Sequence, residues 1–298
     1  MGLNRYEKLM QRISAGEKIL IDGGTGTEVE RRGVPQLDNA WNGGGTLSHP
    51  QIVRQVHVDY LKQGAEIVIS NTFATSHHAL SDAGVGELFD DYNRRGVELA
   101  LEARETSQMP DALVAGGISY WSWTGDHPPL QTLGETVAQQ ARVMADADAD
   151  LLMLEMMIDI DRMITTLDAA QTSGLPVWVG LTCKPNDDGV VCLRNGEPLS
   201  DAVSELKKRD VPLISIMHSE VKHIDACLAA LQPGWSGPIG VYAHTAGAKN
   251  NKWIFDDTIT PDDYATAAQR WLDNGVHVIG GCCGIRAEHI AAINTSMA

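Results

Sequence analysis

Residues 276–284 read VHVIGGCCG, a short apolar run that ends in glycines and two adjacent cysteines. The apolar part predicts a strand over Val276–Gly280, because a strand buried on both faces consists of consecutive apolar residues. Seven earlier runs of the same kind predict seven more strands: Ile19–Gly23, Ile67–Thr72, Leu113–Ile118, Leu151–Glu155, Val177–Thr182, Leu213–Met217 and Ile239–Tyr242.

Amphipathic segments lie between these runs and predict helices. The clearest are Pro50–Gln63, Glu135–Ala147, Asp159–Thr172, Leu199–Lys208, Val221–Leu231 and Pro261–Asp273. Eight strands, each followed by a helix, indicate an α/β protein of the (β/α)8 TIM-barrel class. An open doubly wound sheet has the same periodicity and remains the alternative. No shift in composition marks a boundary, so residues 1–298 are predicted to be one domain.

Four long loop-like stretches, Gly33–His49, Ser119–Leu133, Lys184–Glu197 and Thr245–Thr260, follow strands or begin beyond the first strand's turn. On a barrel they would gather at the carboxyl ends of the strands, where barrel enzymes build their active sites. Polar residues at the predicted strand ends are therefore the candidates for function. They are Asp22, Asn71, Glu155, Cys183, His218, His244, Cys282 and Cys283.

The charge and the cysteine content narrow the class of protein. The net charge of −16 argues against nucleic acid or an anionic membrane as a partner. No segment is long and apolar enough for a transmembrane helix. Five cysteines, an odd number that includes an adjacent pair, are typical of a reducing compartment, so a cytoplasmic location is expected. The sequence leaves open whether the chain assembles into a homo-oligomer.

Cys282 and Cys283 cannot easily pair with each other, because neighbouring Cα atoms lie nearer than a disulfide prefers. The flanking glycines permit an irregular backbone that turns both sulfurs toward one point. Two converging thiolates favour a soft metal, zinc first. The other interpretation is a pair of buried small apolar residues beside a glycine-rich phosphate loop.

The first strand runs into a second glycine cluster, DGGTGTE over residues 22–28. Its spacing differs from that of a dinucleotide loop. The amides near Gly23 and Gly24 are instead predicted to bind a small anion such as a carboxylate. Asp22 and Glu155 are candidates to hold a substrate ammonium between them. Solvated turn carboxylates are the alternative for each.

His218 is predicted at the end of the sixth strand. A histidine there is more often structural than a ligand. One His and two Cys nevertheless make a catalytic zinc site with an open fourth position, so His218, Cys282 and Cys283 form the candidate metal set.

These motifs resemble those of the homocysteine S-methyltransferases, the pterin-independent enzymes that use S-methylmethionine or betaine. The matching segments span nearly the whole chain: residues 22–28, 53–61, 71–73, 151–155, 196–199 and 280–284. The resemblance implies a barrel that binds one zinc through three cysteines, with the thiolate of homocysteine as the fourth ligand. It also implies substrate contacts at Asn71.

The chain departs from this family pattern at three places. His218 stands where the family has its first zinc cysteine, the turn after the third strand holds Trp121 and Trp123, and His244 ends a Tyr-Ala-His segment in place of Tyr-Pro-Asn. Trp41 matches a donor-binding tryptophan of the betaine-dependent branch. Trp41, Trp121 and Trp123 are therefore predicted to form an aromatic cage for an onium methyl donor, with loop packing as the alternative.

The sequence thus predicts a zinc-dependent methyltransferase that moves a methyl group from an onium donor to a small-molecule thiol, homocysteine first. No side chain is predicted to be catalytic beyond the zinc-activated thiolate. The alternatives are a demethylase with another thiol acceptor, a zinc hydrolase with His244 as its base, and a non-catalytic onium-binding protein. For the predicted function and for each alternative, neither nucleic acid nor a membrane is expected as a partner.

Overall fold

The computed structural model describes residues 2–245, 247–249, 252–254 and 259–297. Eight parallel strands form one sheet in which each strand lies beside its neighbours in the predicted series. These barrel strands are Ile19–Leu20, Ile67–Ile69, Leu113–Ile118, Leu151–Met157, Val177–Leu181, Ile214–Glu220, Ile239–His244 and Val278–Gly281.

The sheet closes between its first and second strands. Ile21 forms a parallel bridge with Ile67, the Glu66 amide donates to the Leu20 carbonyl at 2.7 Å, and the Asp22 amide donates to the Ile67 carbonyl at 3.0 Å. The first strand also pairs with the eighth. The predicted (β/α)8 barrel is therefore confirmed, and the alternative of an open doubly wound sheet is wrong.

Helices surround the barrel, and their apolar faces pack against it. The α-helices of the described residues are Arg5–Ser14, Thr25–Arg31, Gly45–Ser48, Pro50–Lys62, His77–Asp82, Phe89–Thr106, Leu130–Asp146, Ile160–Gln171, Leu199–Leu206, Ile224–Leu231, Pro261–Asp273 and Ala287–Met297. Short 3₁₀ turns occur at Asn42–Gly44, Gly86–Leu88 and Val221–His223. No helix in the described part of the chain is long and apolar enough to cross a membrane.

The long helix Phe89–Thr106 was not predicted from the sequence. It buries Asn93 and Gly96 together with its apolar residues. Asn93 is satisfied there by Thr75 Oγ1, which donates at 2.7 Å. Because a polar and a small residue occupy the inner face, the hydrophobic period that identifies an amphipathic helix is weakened.

The predicted loops contain more regular structure than expected. Gly33–His49 holds a 3₁₀ turn and a short helix, and Lys184–Glu197 holds most of a hairpin formed by strands Cys183–Pro185 and Val191–Leu193. Strands Gly247–Lys249 and Lys252–Ile254 pair within the predicted loop Thr245–Thr260. The remainder of the predicted loop Thr245–Thr260 falls partly on residues outside the described part of the chain.

The N-terminal helix Arg5–Ser14 covers the amino ends of the strands. Tyr6 accepts a hydrogen bond from Trp178 Nε1 at 3.1 Å, at the start of the fifth strand, and Arg12 pairs with Glu66 ahead of the second. An Asn4–Glu7 capping box starts this helix. One end of the barrel is thereby closed, which leaves the carboxyl ends of the strands for a site.

Candidate active site

A cavity of about 990 Å³ opens at the carboxyl ends of the barrel strands. Nearly all the site residues predicted from the sequence line it: Gly23, Gly24, Trp41, Asn71, Trp121, Trp123, Glu155, His218, Cys282 and Cys283. Asp22 does not line it, although its neighbour Gly23 and its hydrogen-bond partner Ile69 do.

Three potential metal ligands converge on one wall of the cavity. The ligand atoms of His218, Cys282 and Cys283 all lie within 4.8 Å of one another. His218 Nδ1 is 3.4 Å from Cys282 Sγ, and the two sulfurs are 3.9 Å apart. Among the described residues, this is the one such cluster of His, Cys, Asp or Glu.

Two of these three separations fit a tetrahedral metal. Bonds of about 2.3 Å to sulfur and 2.0 Å to nitrogen place two sulfurs about 3.8 Å apart, and a sulfur and a nitrogen about 3.5 Å apart. The observed distances of 3.9 and 3.4 Å differ from these by about 0.1 Å. A metal ion with soft ligand preference can therefore be held here with a fourth position open to the cavity.

Irregular backbone turns two of the site side chains into the cavity. The strand register shifts between Leu154 and Met157 and again between Met217 and Glu220, so Glu155 and His218 each lie at a bulge. A bulge places an extra residue in a strand and re-aims its side chain. His218 has a φ of 46° and Met156 a φ of 59°, in the left-handed region that costs a non-glycine residue about 1–2 kcal/mol.

The two adjacent thiols differ in acidity. The hydrogen bond between the sulfurs lowers the pKa of Cys282 well below its usual value, and the nearby His218 imidazole acts in the same direction. The same hydrogen bond, with burial, raises the pKa of Cys283. Cys282 is thus the thiol that ionises first, and a bound cation would favour the thiolate of both.

His244 lies against the ligand cluster without belonging to it. Its ring centroid is 4.3 Å from that of His218. Burial, then the charge of His218, lowers the pKa of His244 to about 4, so its imidazole is neutral at neutral pH. Its buried Nδ1 has no hydrogen-bond partner among the described residues.

The carboxyl groups of Asp22, which is buried, and Glu155, which is half-buried, lie near the thiols. Burial raises the pKa of Glu155 well above its usual value, and the charges of Cys282 and Asp22 add to the effect. Burial likewise raises the pKa of Asp22, although Asp22 Oδ2 accepts the Ile69 amide at 2.8 Å. A substrate ammonium between them would restore the carboxylate forms, because an opposite charge favours ionisation.

The glycine turn after the first strand is locked to the cysteine loop. The Gly24 amide donates to the Ile285 carbonyl at 2.9 Å, and the same carbonyl accepts from the Tyr60 hydroxyl at 3.1 Å. The amide of Gly24 is therefore not available to a substrate carboxylate, which corrects one part of the sequence prediction. The Gly23 amide has no hydrogen-bond partner among the described residues.

Asn71 holds the loops of the cavity together. Its Nδ2 donates to the Asn42 carbonyl at 2.9 Å and to Thr46 Oγ1 at 3.2 Å. Its amide nitrogen is therefore committed to the protein, and the side-chain oxygen is the part that remains for a ligand.

An aromatic wall faces the ligand cluster, and its centre was not predicted as a site residue. The ring of Phe73 meets Trp41 edge-on at 6.4 Å and Trp123 edge-on at 6.1 Å. Trp41 packs over Gly26, where a Cβ would lie 2.6 Å from the indole. Trp121 differs from the other two, because the Arg194 guanidinium lies 5.4 Å from its ring centroid. Of the three tryptophans predicted to form a cage, Trp41 and Trp123 thus pack on Phe73, whereas Trp121 packs against Arg194.

Sequence reasoning also missed Tyr242 and Arg194 as cavity residues. The Tyr242 hydroxyl is buried with no hydrogen-bond partner among the described residues, and it approaches the Cα of Gly180, where a Cβ would collide with it. Tyr242 ends a predicted strand, and this position could have identified it from the sequence as a cavity residue. Arg194 lies in a predicted loop that carries no such signal, because loop side chains are placed by the fold.

Comparisons with known proteins agree with this geometry. The family model described as homocysteine S-methyltransferase matches residues 19–297. Homocysteine S-methyltransferase 3 of Arabidopsis thaliana is 27% identical, over 93% of this chain and 89% of its own length. The selenocysteine methyltransferase of Astragalus bisulcatus is 26% identical, over 94% of this chain and 92% of its own length.

The fold is shared with a solved structure. The metallated form of the homocysteine methyltransferase MmuM from Escherichia coli superposes with a TM-score of 0.80, at 24% identity, over 98% of this chain and 99% of that one. The family match covers most of the chain. This protein belongs to the homocysteine S-methyltransferase family and is a methyltransferase of the EC 2.1.1 class.

Proposed function

We propose that this methyltransferase uses zinc, held by His218, Cys282 and Cys283, to transfer a methyl group from an onium donor such as S-methylmethionine to homocysteine. The observation that carries the proposal is the convergence of these three ligand atoms within 4.8 Å, in a cavity that also has an aromatic wall. Zinc bound there would lower the pKa of a coordinating thiol, so that thiolate predominates at neutral pH.

The residues of the chain would bind and orient the two substrates. Glu155 lines the cavity and would hold the ammonium of homocysteine, since burial makes its carboxyl group favour a cationic partner. Asp22 does not line the cavity and would act on the ammonium through its charge alone. The Gly23 amide would donate to the carboxylate of homocysteine, and the side-chain oxygen of Asn71 would accept from its ammonium. Trp41, Phe73 and Trp123 would face the onium group of the donor.

The transfer itself needs no further catalytic side chain. The thiolate sulfur forms a bond to the methyl carbon while the carbon–sulfur bond of the sulfonium breaks, and the electron pair leaves with the donor's sulfur. The positive charge of the donor disappears as this happens. The protein would contribute chiefly by holding the two groups in line and near each other.

A selenol acceptor is the second candidate within the same chemistry. It is favoured by relatives named selenocysteine methyltransferases, at 26% identity. A zinc hydrolase is less well supported. Its base would have to be His244, whose pKa of about 4 gives it little tendency to take a proton at neutral pH.

The proposal is tested on protein purified under reducing conditions. About one zinc per chain is expected by elemental analysis, and mass spectrometry should detect methionine from homocysteine and S-methylmethionine or betaine. Selenocysteine is assayed in parallel. Cys283→Ser should lose zinc and activity, whereas Cys192→Ser, a buried thiol outside the cavity, should keep both. Full zinc retention in Cys283→Ser would contradict the metal site, and zinc-loaded protein that transfers no methyl group would contradict the reaction.

We also infer a cytoplasmic location, which is supported by five cysteines that are all free thiols and by a site that requires two of them reduced. One barrel domain over residues 1–298 and assembly as a homo-oligomer remain proposals. Small-molecule substrates are the partners that the site supports.

A further inference from the structure

Arg194 is held firmly at the rim of the cavity. Its amide donates to the Thr182 carbonyl at 3.0 Å, and the next amide, that of Asn195, donates to the Ile158 carbonyl at 3.1 Å. The turn is thereby tied to the ends of the fourth and fifth strands. From this anchor the guanidinium lies 5.4 Å from the ring centroid of Trp121, within the range of a cation–π contact.

Arg194 has no carboxylate partner among the described residues. Most arginines in the described part of the chain pair with a carboxylate, but no described carboxylate lies within 4.0 Å of Arg194. Lys222, the other Lys or Arg among the described residues that line the cavity, is paired with Glu220. In a chain with a net charge of −16, an unpaired guanidinium at a substrate cavity is therefore a feature to be explained.

The cavity lining therefore carries two different kinds of group. The ligand cluster of His218, Cys282 and Cys283 lines one part of the cavity, and the Glu155 carboxyl group lines the cavity as well. Arg194 adds a fixed positive charge over Trp121. An onium compound with no other charge would be repelled there. A donor that also carries a carboxylate would place its onium group toward the thiolate and its carboxylate on the guanidinium, which binds carboxylates in a bidentate manner.

We propose that Arg194 determines donor specificity by pairing with the carboxylate of a zwitterionic onium donor. The inference rests on the proposed function and adds to it the class of donor and the residue that selects it. Arg194 is a binding residue in this account and takes no part in the transfer step.

The test compares donors that share an onium group and differ only in the carboxylate. S-methylmethionine is paired with its primary amide, and glycine betaine with its primary amide. Zinc-loaded parent protein, Arg194→Gln and Arg194→Lys are assayed with homocysteine. Arg142→Gln is the matched control, because Arg142 is exposed, does not line the cavity and has no carboxylate partner in the described structure.

Whichever of S-methylmethionine and glycine betaine is the better donor should have a kcat/KM at least tenfold higher than that of its amide with the parent protein. Arg194→Gln should lose about 10–100-fold with the carboxylate donor, mainly through KM, because a hydrogen-bonded charge contact of this kind is worth that much. It should change the amide by less than threefold. Arg194→Lys should restore part of the preference. Zinc content, the KM for homocysteine and all values for Arg142→Gln should stay as in the parent.

An unchanged preference in Arg194→Gln would overturn the inference. Calorimetric binding of the same four donors separates this outcome from a failure of the proposed reaction. Carboxylate donors that bind the parent more tightly than their amides, and lose that advantage in Arg194→Gln, would support the role of Arg194 even without turnover. Equal binding of carboxylate and amide by the parent, or no binding of any carboxylate donor, would refute it.

Discussion

Removal of the His218 imidazole is expected to abolish tight zinc binding. His218 occupies the position where the family resemblance predicts cysteine, so it is the least expected member of the ligand cluster. Two substitutions, His218→Ala and His218→Gly, delete the ring and leave both cysteines in place. His218→Cys supplies the ligand that the resemblance predicts there.

The size of the effect follows from the geometry. The His218–Cys282 and Cys282–Cys283 distances of 3.4 and 3.9 Å already suit tetrahedral zinc, so the parent has these two pairs in place before the metal binds. Loss of an outer-shell partner of a metal ligand typically costs 10–100-fold in affinity. Loss of a ligand should exceed this, by at least about 100-fold, which is about 2.7 kcal/mol.

The backbone at His218 provides an internal control. Its φ of 46° disfavours alanine relative to glycine by about 1 kcal/mol. Without metal, His218→Gly should therefore be more stable than His218→Ala by about 1 kcal/mol, while both lose zinc to the same extent. A difference in stability with equal loss of zinc would separate the ligand role of the ring from strain in the backbone.

The assay is a zinc titration against a competing chromophoric chelator, together with thermal unfolding of the metal-free proteins. His218→Cys should retain zinc. Its added negative charge makes the metal a weaker Lewis acid, so the pKa of a bound thiol should rise and the gain of activity should move to higher pH. If His218→Ala binds zinc and turns over like the parent, the histidine is structural. The third ligand must then be sought at His244, because Cys183 does not line the cavity.

Two further predictions concern the aromatic wall and the core. In steady-state kinetics, Trp123→Ala should raise the donor KM about 5–30-fold, because a desolvated cation–π contact is worth about 1–2 kcal/mol. The homocysteine KM should stay unchanged. Trp235→Phe, outside the cavity, is the control that would expose a general effect on folding. His57 is fully buried with no hydrogen-bond partner on either nitrogen among the described residues, and burial lowers its pKa from 6.5 to about 4. The His57 imidazole takes up a proton below pH 6.5 in the unfolded chain but only below about pH 4 in the folded protein. The free energy of unfolding therefore falls as the pH falls through this window, by up to about 3 kcal/mol. In urea titrations, the free energy of unfolding of His57→Leu should rise by this amount relative to that of the parent as the pH is lowered from 7 to 4. A difference between the two proteins that does not depend on pH would refute the argument.

The order of the elements was legible in the sequence. Eight buried apolar runs separated by amphipathic segments predicted the barrel, because strands buried on both faces and helices buried on one have different periods. The same pattern placed Cys282 and Cys283 at the carboxyl end of the last strand, and residue type pointed to a soft metal. The helix Phe89–Thr106 was missed because its inner face carries Asn93 and Gly96.

What the sequence by itself determined is therefore the barrel and the chemical kind of its site. Only the tertiary structure decided how the side chains meet. The bulges that turn Glu155 and His218 into the cavity, the use of the Gly24 amide by Ile285, and the position of Arg194 over Trp121 all depend on contacts between distant segments. Local patterns record periodicity and residue type, whereas register shifts and loop contacts arise when closure of the barrel brings separate strand ends together.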